Sequence, residues 1–366
     1  MISQECLLQS SFNGAVSNGQ RIALVSLRFR PAFVSIMKAF AKACVALGHE
    51  VEYVVDPAYT RFADLSAVAP VRIYNDSVSL GHYSHCIVMN VAPGHDKLAS
   101  RLKLSGARVV YLYHEPRNSL VETLKPDGFL REVKTGLAYF FSVRMLKEAD
   151  AVIVPSSYGM RVYEQRDIRY NQARHRIPLL FDDESLSLPS QERRYFSYIG
   201  AICRSHAFDR FLDFVKYCLE NELPIEFLIA SADAMPQDAL RSRVLSDKTQ
   251  RIKIQSGRSL QSEEINSYFA QSVCVWNLYR RCTQSGVLPK CFMFGTPVLA
   301  TDTGAFSEFV KDGFNGKFVA AEEPAAIYSA YLEITNCFQT YSRNARDTFL
   351  STFYYVSQLE RLQQVL

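Results

Sequence analysis

Between Thr283 and Val310 the sequence reads TQSGVLPKCFMFGTPVLATDTGAFSEFV. The pattern predicts a helix, a short buried strand, and a second helix opened by a Thr-Gly turn. A helix start carries backbone N–H groups without intrahelical partners and a partial positive charge. Two such starts around one strand suit an anion, a phosphate first of all. Ser285, Gly286 and Val287 open the first helix: glycine lets a phosphate approach the backbone, and serine offers a hydroxyl. Thr303 and Gly304 form the turn, with Glu308 one turn into the next helix. The same serine and glutamate also suit plain capping and dipole complementation.

Cations lie nearby. Lys290 cannot accept a hydrogen bond, so it either pairs with a diphosphate oxygen or sits on the surface. Arg280 and Arg281 offer planar forks that match phosphate better. Adjacent residues point apart, so one of the two faces a cleft; Arg281 is the candidate carried forward. His114 ends the run RVVYLY, and His95 lies just beyond HCIVMNV; the carboxyl ends of parallel strands are where cleft residues belong. No third ligand joins His95 and His114, so no metal is expected, and no Ser or Cys elbow accompanies His114. Arg28 and Arg30, in LRFRPAF, leave the first strand and suit an acceptor phosphate. That loop lacks a glycine-rich dinucleotide fingerprint, which argues against a nicotinamide dehydrogenase.

Elements that could hold these residues follow from apolar runs alternating with helical periods. Strands are expected at 21–27, 51–55, 71–74, 85–91, 108–113 and 151–155, then again at 195–201, 225–231, 252–255, 273–279 and 297–301. Helices fall between them, including 33–47, 96–105, 129–148 and 157–166. Unalternating apolar strands separated by helices imply parallel sheets covered on both faces. The fold class is therefore α/β, with two doubly wound, Rossmann-like domains facing across a cleft. The junction is placed in the Pro-, Ser- and acid-rich stretch 175–194. Domains of 1–181 and 182–340 result, with a tail 341–366 crossing back onto the first.

At 366 residues, 48% hydrophobic and 21% charged, the composition is that of a globular chain long enough for two cores. The start lacks a basic segment followed by an apolar block, so no secretory signal is expected. Nine scattered cysteines without a C-x-x-C read as reduced core thiols of a cytoplasmic protein. The net charge of +4 conceals +7 in residues 1–181 and −3 beyond. A basic first half suits an anionic substrate or an anionic membrane surface. No nucleic-acid module is recognisable, and nucleic acid is not an expected partner.

FGTPVLATDTGAFSEFVKDGFNGKFV (294–319) resembles the C-terminal signature of family-4 retaining glycosyltransferases of the GT-B fold. ALGHEVEYVV (46–55), ADAVIVPSSYG (149–159), RIPLLFD (176–182) and YFSYIGAI (195–202) follow in the family's order. The resemblance implies a nucleotide-diphosphate sugar held by the second domain, with Thr303–Gly304 near the sugar or its phosphate. It also implies a histidine near the donor sugar, here His114. The family's two glutamates separated by seven residues fall at Cys282 and Lys290, and its Arg–Lys pair at Ala201 and His206. Arg204 is the candidate replacement for that pair. The form YRRCTQSGVL resembles a branch in which Ser-Gly opens the helix.

The reading that results is a nucleotide-sugar-dependent hexosyltransferase acting with retention. Its donor site takes Arg204, Arg281, Ser285, Gly286, Val287, Lys290, Thr303, Gly304 and Glu308; its acceptor site takes Arg28, Arg30 and His95; His114 is the catalytic candidate. No cofactor or metal is expected beyond the donor substrate. The acceptor is a glycan or lipid-linked glycan, at the inner face of the cell membrane. A catalytically silent GT-B partner of an active transferase, or a nucleotide-sugar epimerase, are the alternatives.

Overall fold

The structure is a computed structural model that describes residues 19–62, 64–75, 82–114, 116, 129–167, 170, 172–188, 191–236, 250–319 and 323–366. The first half alternates Arg21–Ser26 (β1), Pro31–Ala46 (α1), Glu50–Val55 (β2), Ala58–Phe62 (α2), Val71–Ile73 (β3), His85–Val88 (β4) and His95–Leu104 (α3). Arg108–Leu112 (β5), Phe129–Glu148 (α4), Ala151–Val154 (β6), Ser157–Arg166 (α5) and Ala173–Arg176 (β7) complete it.

The second half runs Tyr195–Ile199 (β8), Phe208–Glu220 (α6), Glu226–Ala230 (β9), Ile252–Gln255 (β10), Ser262–Ala270 (α7) and Ser272–Asn277 (β11). It continues with Val287–Met293 (α8), Val298–Ala300 (β12), Phe306–Phe309 (α9), Gly316–Phe318 (β13), Pro324–Asn336 (α10), Phe338–Thr348 (α11) and Leu359–Gln363 (α12).

Both sheets are parallel: seven strands in the order β3-β2-β1-β4-β5-β6-β7, and six in the order β10-β9-β8-β11-β12-β13. The strands are apolar runs because helices cover both faces: Ile22, Ala23, Leu24 and Val25 of β1 are all fully buried. In the second half, aromatic rings fill the space beneath the sheet. Trp276 on β11 meets Phe196 and Phe211 edge-on at 6.3 and 5.4 Å between ring centres, an orientation the ring quadrupoles favour.

Strand order reverses between β1 and β4 in one sheet and between β8 and β11 in the other. Loops leaving adjacent strands diverge there and open a crevice. The chain leaving these strands carries Arg28, Arg30 and His95 at the first, and Arg204, Arg281 and Ser285–Val287 at the second. The chain end returns to the first sheet, where the Arg108 guanidinium donates to the Val365 carbonyl at 3.1 Å.

Two strands go beyond the sequence expectation. β7 (ARHR) is a polar, largely exposed edge strand, so no apolar run announces it, and it takes in part of the stretch read as linker. β13 is three residues long, too short for a pattern.

Candidate functional site

At the second crevice the chain leaves β11 and turns into α8. The Ser285 hydroxyl accepts the N–H groups of Val287 and Leu288 at 3.2 and 3.3 Å, which fixes the helix start. Capping is thus realised, and it engages the Val287 N–H, one of the groups expected to face a phosphate. Gly286 has ordinary helical backbone, φ −81°, and a Cβ there would meet nothing within 4 Å. The fold itself therefore places no demand for glycine at 286. Val287 lies against the loop after β8: its Cγ2 is 3.4 Å from where a Cβ on Gly200 would stand.

Gly304 is different. Its φ is +60°, and a Cβ there would lie 1.7 Å from the Cys282 carbonyl oxygen. The same carbonyl accepts the Ala305 N–H at 2.8 Å, so the turn after β12 is pressed onto the loop before α8. Thr303 closes this turn, donating its N–H to Thr301 at 2.8 Å and accepting from Phe306 at 3.1 Å.

The cations divide into exposed and committed ones. Arg204 and Arg281 have exposed side chains on the loops after β8 and β11. Arg280 forks onto Asp209 at 2.7 and 2.8 Å and also holds the Arg204 carbonyl at 2.7 Å. Lys290 departs from its assignment to the donor. Its ammonium is buried, 2.6 Å from Glu184 Oε2, and donates to Asn266 Oδ1 at 3.1 Å. Asn266 closes the triangle, donating to Glu184 Oε2 at 2.7 Å. A buried ammonium needs such partners. Burial lowers the Lys290 pKa while Glu184 pulls it back. For Glu184, burial alone would raise the carboxyl, and Lys290 with Asn266 brings it below its ordinary value.

Glu308 is also spoken for. Its Oε2 accepts the Ser157 N–H at 2.5 Å, and its Oε1 pairs with Arg176. It therefore caps α5 of the first half rather than serving its own four-residue helix. Ser156 adds a second link, its hydroxyl donating to the Thr283 carbonyl at 3.1 Å.

His114 stands two residues beyond β5, half-buried, with its ring 5.2 Å from that of Phe33 at the start of α1. At the first crevice His95 is wholly buried. Its Nε2 accepts the Leu27 N–H at 2.9 Å, so Nδ1 carries the hydrogen and donates to the Ala92 carbonyl at 3.1 Å. Burial brings its pKa down to about 4. With both nitrogens used, His95 does not meet an acceptor, contrary to the sequence expectation; it pins the loop that carries Arg28 and Arg30. The Arg28 carbonyl accepts from Tyr59 at 3.3 Å and Asn90 at 3.1 Å, and the Asn90 amide also donates to Ser26 Oγ at 2.8 Å. This polar knot faces the Arg28 side chain outward. Arg30 is half-buried and caps α1 by backbone alone. Among the described residues, no group of three or more His, Cys, Asp or Glu is placed to hold a metal ion.

Residues 193–336, which contain this second crevice entire, match the model for glycosyl transferases group 1. The chain as a whole has the GT-B fold. It superposes on sucrose-phosphate synthase of Thermosynechococcus elongatus with a TM-score of 0.67 at 15% identity, covering 94% of this chain and 98% of that one. HepE of Anabaena, solved in complex with UDP and glucose, gives 0.63 at 14%, covering 94% and 99%. The pneumococcal O-GlcNAc transferase GtfA, in complex with UDP and GlcNAc, gives 0.62 at 11%, covering 95% and 99%. A comparison with curated protein sequences returns no match.

Several residues in and around this segment escaped the sequence reading. Ser156, Ser157 and Arg176 carry the seam between halves; the PSS that follows the strand AVIVP is a helix-cap signal that marks the place but not the partner. His206 stacks on Tyr279 with ring centres 4.0 Å apart and 6° between planes. Cys203 lies in the same loop, its Sγ 3.1 Å from Ser205 Oγ. Burial alone would raise the Cys203 thiol, yet His206 beside it brings it down to about 7.

Proposed function

We propose that this chain transfers a hexosyl group, with retention, from a nucleotide-diphosphate sugar to a glycan or lipid-linked acceptor. The donor is held by the group 1 glycosyltransferase domain, its diphosphate at the Ser285–Gly286–Val287 helix start. Arg204 and Arg281 reach it from the flanking loops. Thr303–Gly304 faces the sugar, and His114 approaches that sugar from the other half. The acceptor enters beside Arg28 and Arg30, and the basic first half rests on an anionic membrane at the inner face of the cell. Positive groups in a closed crevice stabilise charge developing on the leaving diphosphate, and closure keeps out water that would hydrolyse the donor.

The observation that carries the reading is Gly286. The fold leaves open space where its side chain would be, inside the segment that matches the glycosyltransferase model. A ligand approaching the backbone supplies the reason for glycine that packing does not.

A second reading, a silent partner of an active transferase, has its own support. Cys282 is buried where the family carries a carboxylate, and Lys290 is tied to Glu184. Calorimetry with a panel of nucleoside diphosphates, beside a turnover assay with the matching sugars, separates the two. Binding with turnover supports transfer, binding without turnover supports the silent partner, and no binding contradicts both.

A further inference from the structure

The helices α3 and α4 lie side by side on one face of the first sheet. Leu98, Ala99 and Leu102 of α3 and Met145 and Leu146 of α4 share one buried cluster there. Their outward stripes therefore point the same way. On α3 the exposed residues at helical spacing are Lys97, Arg101 and Leu104; on the described part of α4 they are Phe140, Arg144 and Lys147. Among the described residues, each stripe holds two cations, one large apolar side chain and no carboxylate. Leu104 is 89% exposed and Phe140 53%.

Among the described residues, the acids nearby lie off these stripes. Asp96 is buried and pairs with Arg144 at 2.5 Å, and Asp150 pairs with Lys103 at 2.6 Å. Glu148, half-buried, offers its carbonyl to Lys103 at 3.2 Å. These links tie Arg144 and Lys103 to acids, and Lys97 and Lys147 stand as exposed cations, one on each stripe. Like charges at i and i+4, here Lys97 and Arg101, weaken a helix in water. An exposed leucine and phenylalanine among such charges gain nothing from water either.

We propose that this α3–α4 face is where the protein docks on an anionic lipid surface. The cations meet headgroup charge, while Leu104 and Phe140 at the two ends of the face enter the interface. Weak apolar insertion joined to basic attraction is the pairing that holds peripheral proteins on membranes. The exposed apolar ends favour lipid over nucleic acid, whose phosphates would engage the cations alone. The inference deepens the membrane placement in the proposed function and rests on that part of it only. Binding is read without donor or acceptor, so its failure leaves the transfer reading untouched.

The test is co-sedimentation of the full chain with phosphatidylglycerol vesicles and with phosphatidylcholine vesicles, at low and high salt. The native protein is expected to bind the former, less so as salt rises, and to ignore the latter. The double variant Leu104→Glu/Phe140→Glu is expected to lose at least tenfold in partitioning, with an unchanged melting temperature because both side chains are exposed. Lys97→Gln/Lys147→Gln, which removes charge without adding any, is expected to weaken binding as well. Equal binding to both vesicle types, no binding to either, or native-like binding by both variants would overturn the proposal. So would retention on duplex DNA by a protein that ignores the vesicles.

Discussion

Glu308 and Ser157 join the two halves of the molecule: a carboxylate oxygen of one accepts the backbone N–H of the other at 2.5 Å, across 151 residues of chain. Arg176 pairs with the second carboxylate oxygen, the two side chains being 38% and 17% exposed. A pair this open contributes little alone, so Glu308→Gln is expected to cost roughly 1 kcal/mol. A double-mutant cycle with Arg176→Met should return a coupling of about 0.5 kcal/mol or more. Strictly additive losses in urea unfolding would show that the seam is not held by this pair.

Two glycines make a contrast. Gly304→Ala pushes a Cβ into the Cys282 carbonyl and forces a positive φ on a residue with a side chain. The expected loss is on the order of 3 kcal/mol, read from denaturation. Gly286→Val meets open space, so it should fold normally and weaken nucleoside diphosphate binding at least tenfold, about 1.4 kcal/mol. A stable Gly304→Ala protein, or unchanged affinity in Gly286→Val, contradicts the respective placement.

The buried Lys290–Glu184 pair yields a test of sign. Removing the carboxylate strands the ammonium, so Glu184→Gln should cost about 3 kcal/mol. Lys290→Met removes the buried charge itself and leaves Glu184 with 22% side-chain exposure and the Asn266 amide. It should therefore be the milder change. The reverse order of melting temperatures would mean that the ammonium is not the group that burial strains.

His95 makes stability depend on pH. Its folded pKa, about 4, lies below the ordinary 6.5. Between those values the unfolded chain binds the extra proton, so stability rises with pH across the window and falls as pH drops through it. The loss from pH 7 to pH 4 should be on the order of 3 kcal/mol. His95→Gln is expected to be less stable at pH 7 and to show a shallower slope. Parallel slopes for both proteins would contradict the buried neutral imidazole.

Much of this architecture was readable beforehand, because a parallel strand buried on both faces advertises itself as an unbroken apolar run such as RIALVS or AVIV. The turn at Gly304 and the cap at Ser285 were readable for the same local reason. What was not readable depends on distant partners. Nothing around Lys290 announces Glu184, and nothing around Glu308 announces Arg176, 132 residues earlier. His95 looked like a cleft residue because it follows a strand end, yet its side chain turns back to hold the β1 loop. Strand ends predict where a residue lies, not whether its donors are already used.

His114→Ala tests the central claim, that donor sugar and diphosphate are held from opposite halves of the molecule. The imidazole lies two residues beyond β5, its ring 5.2 Å from that of Phe33, and the proposed function sets it toward the donor sugar. A hydrogen bond there acts on the sugar and the transition state, so kcat should fall far more than nucleoside diphosphate Kd rises. The melting temperature, measured on the same variant, separates this from a packing loss against Phe33. The account predicts a selective fall in kcat with near-native Kd and melting temperature. Wild-type turnover in the folded variant, or a Kd that worsens as much as kcat, would contradict it.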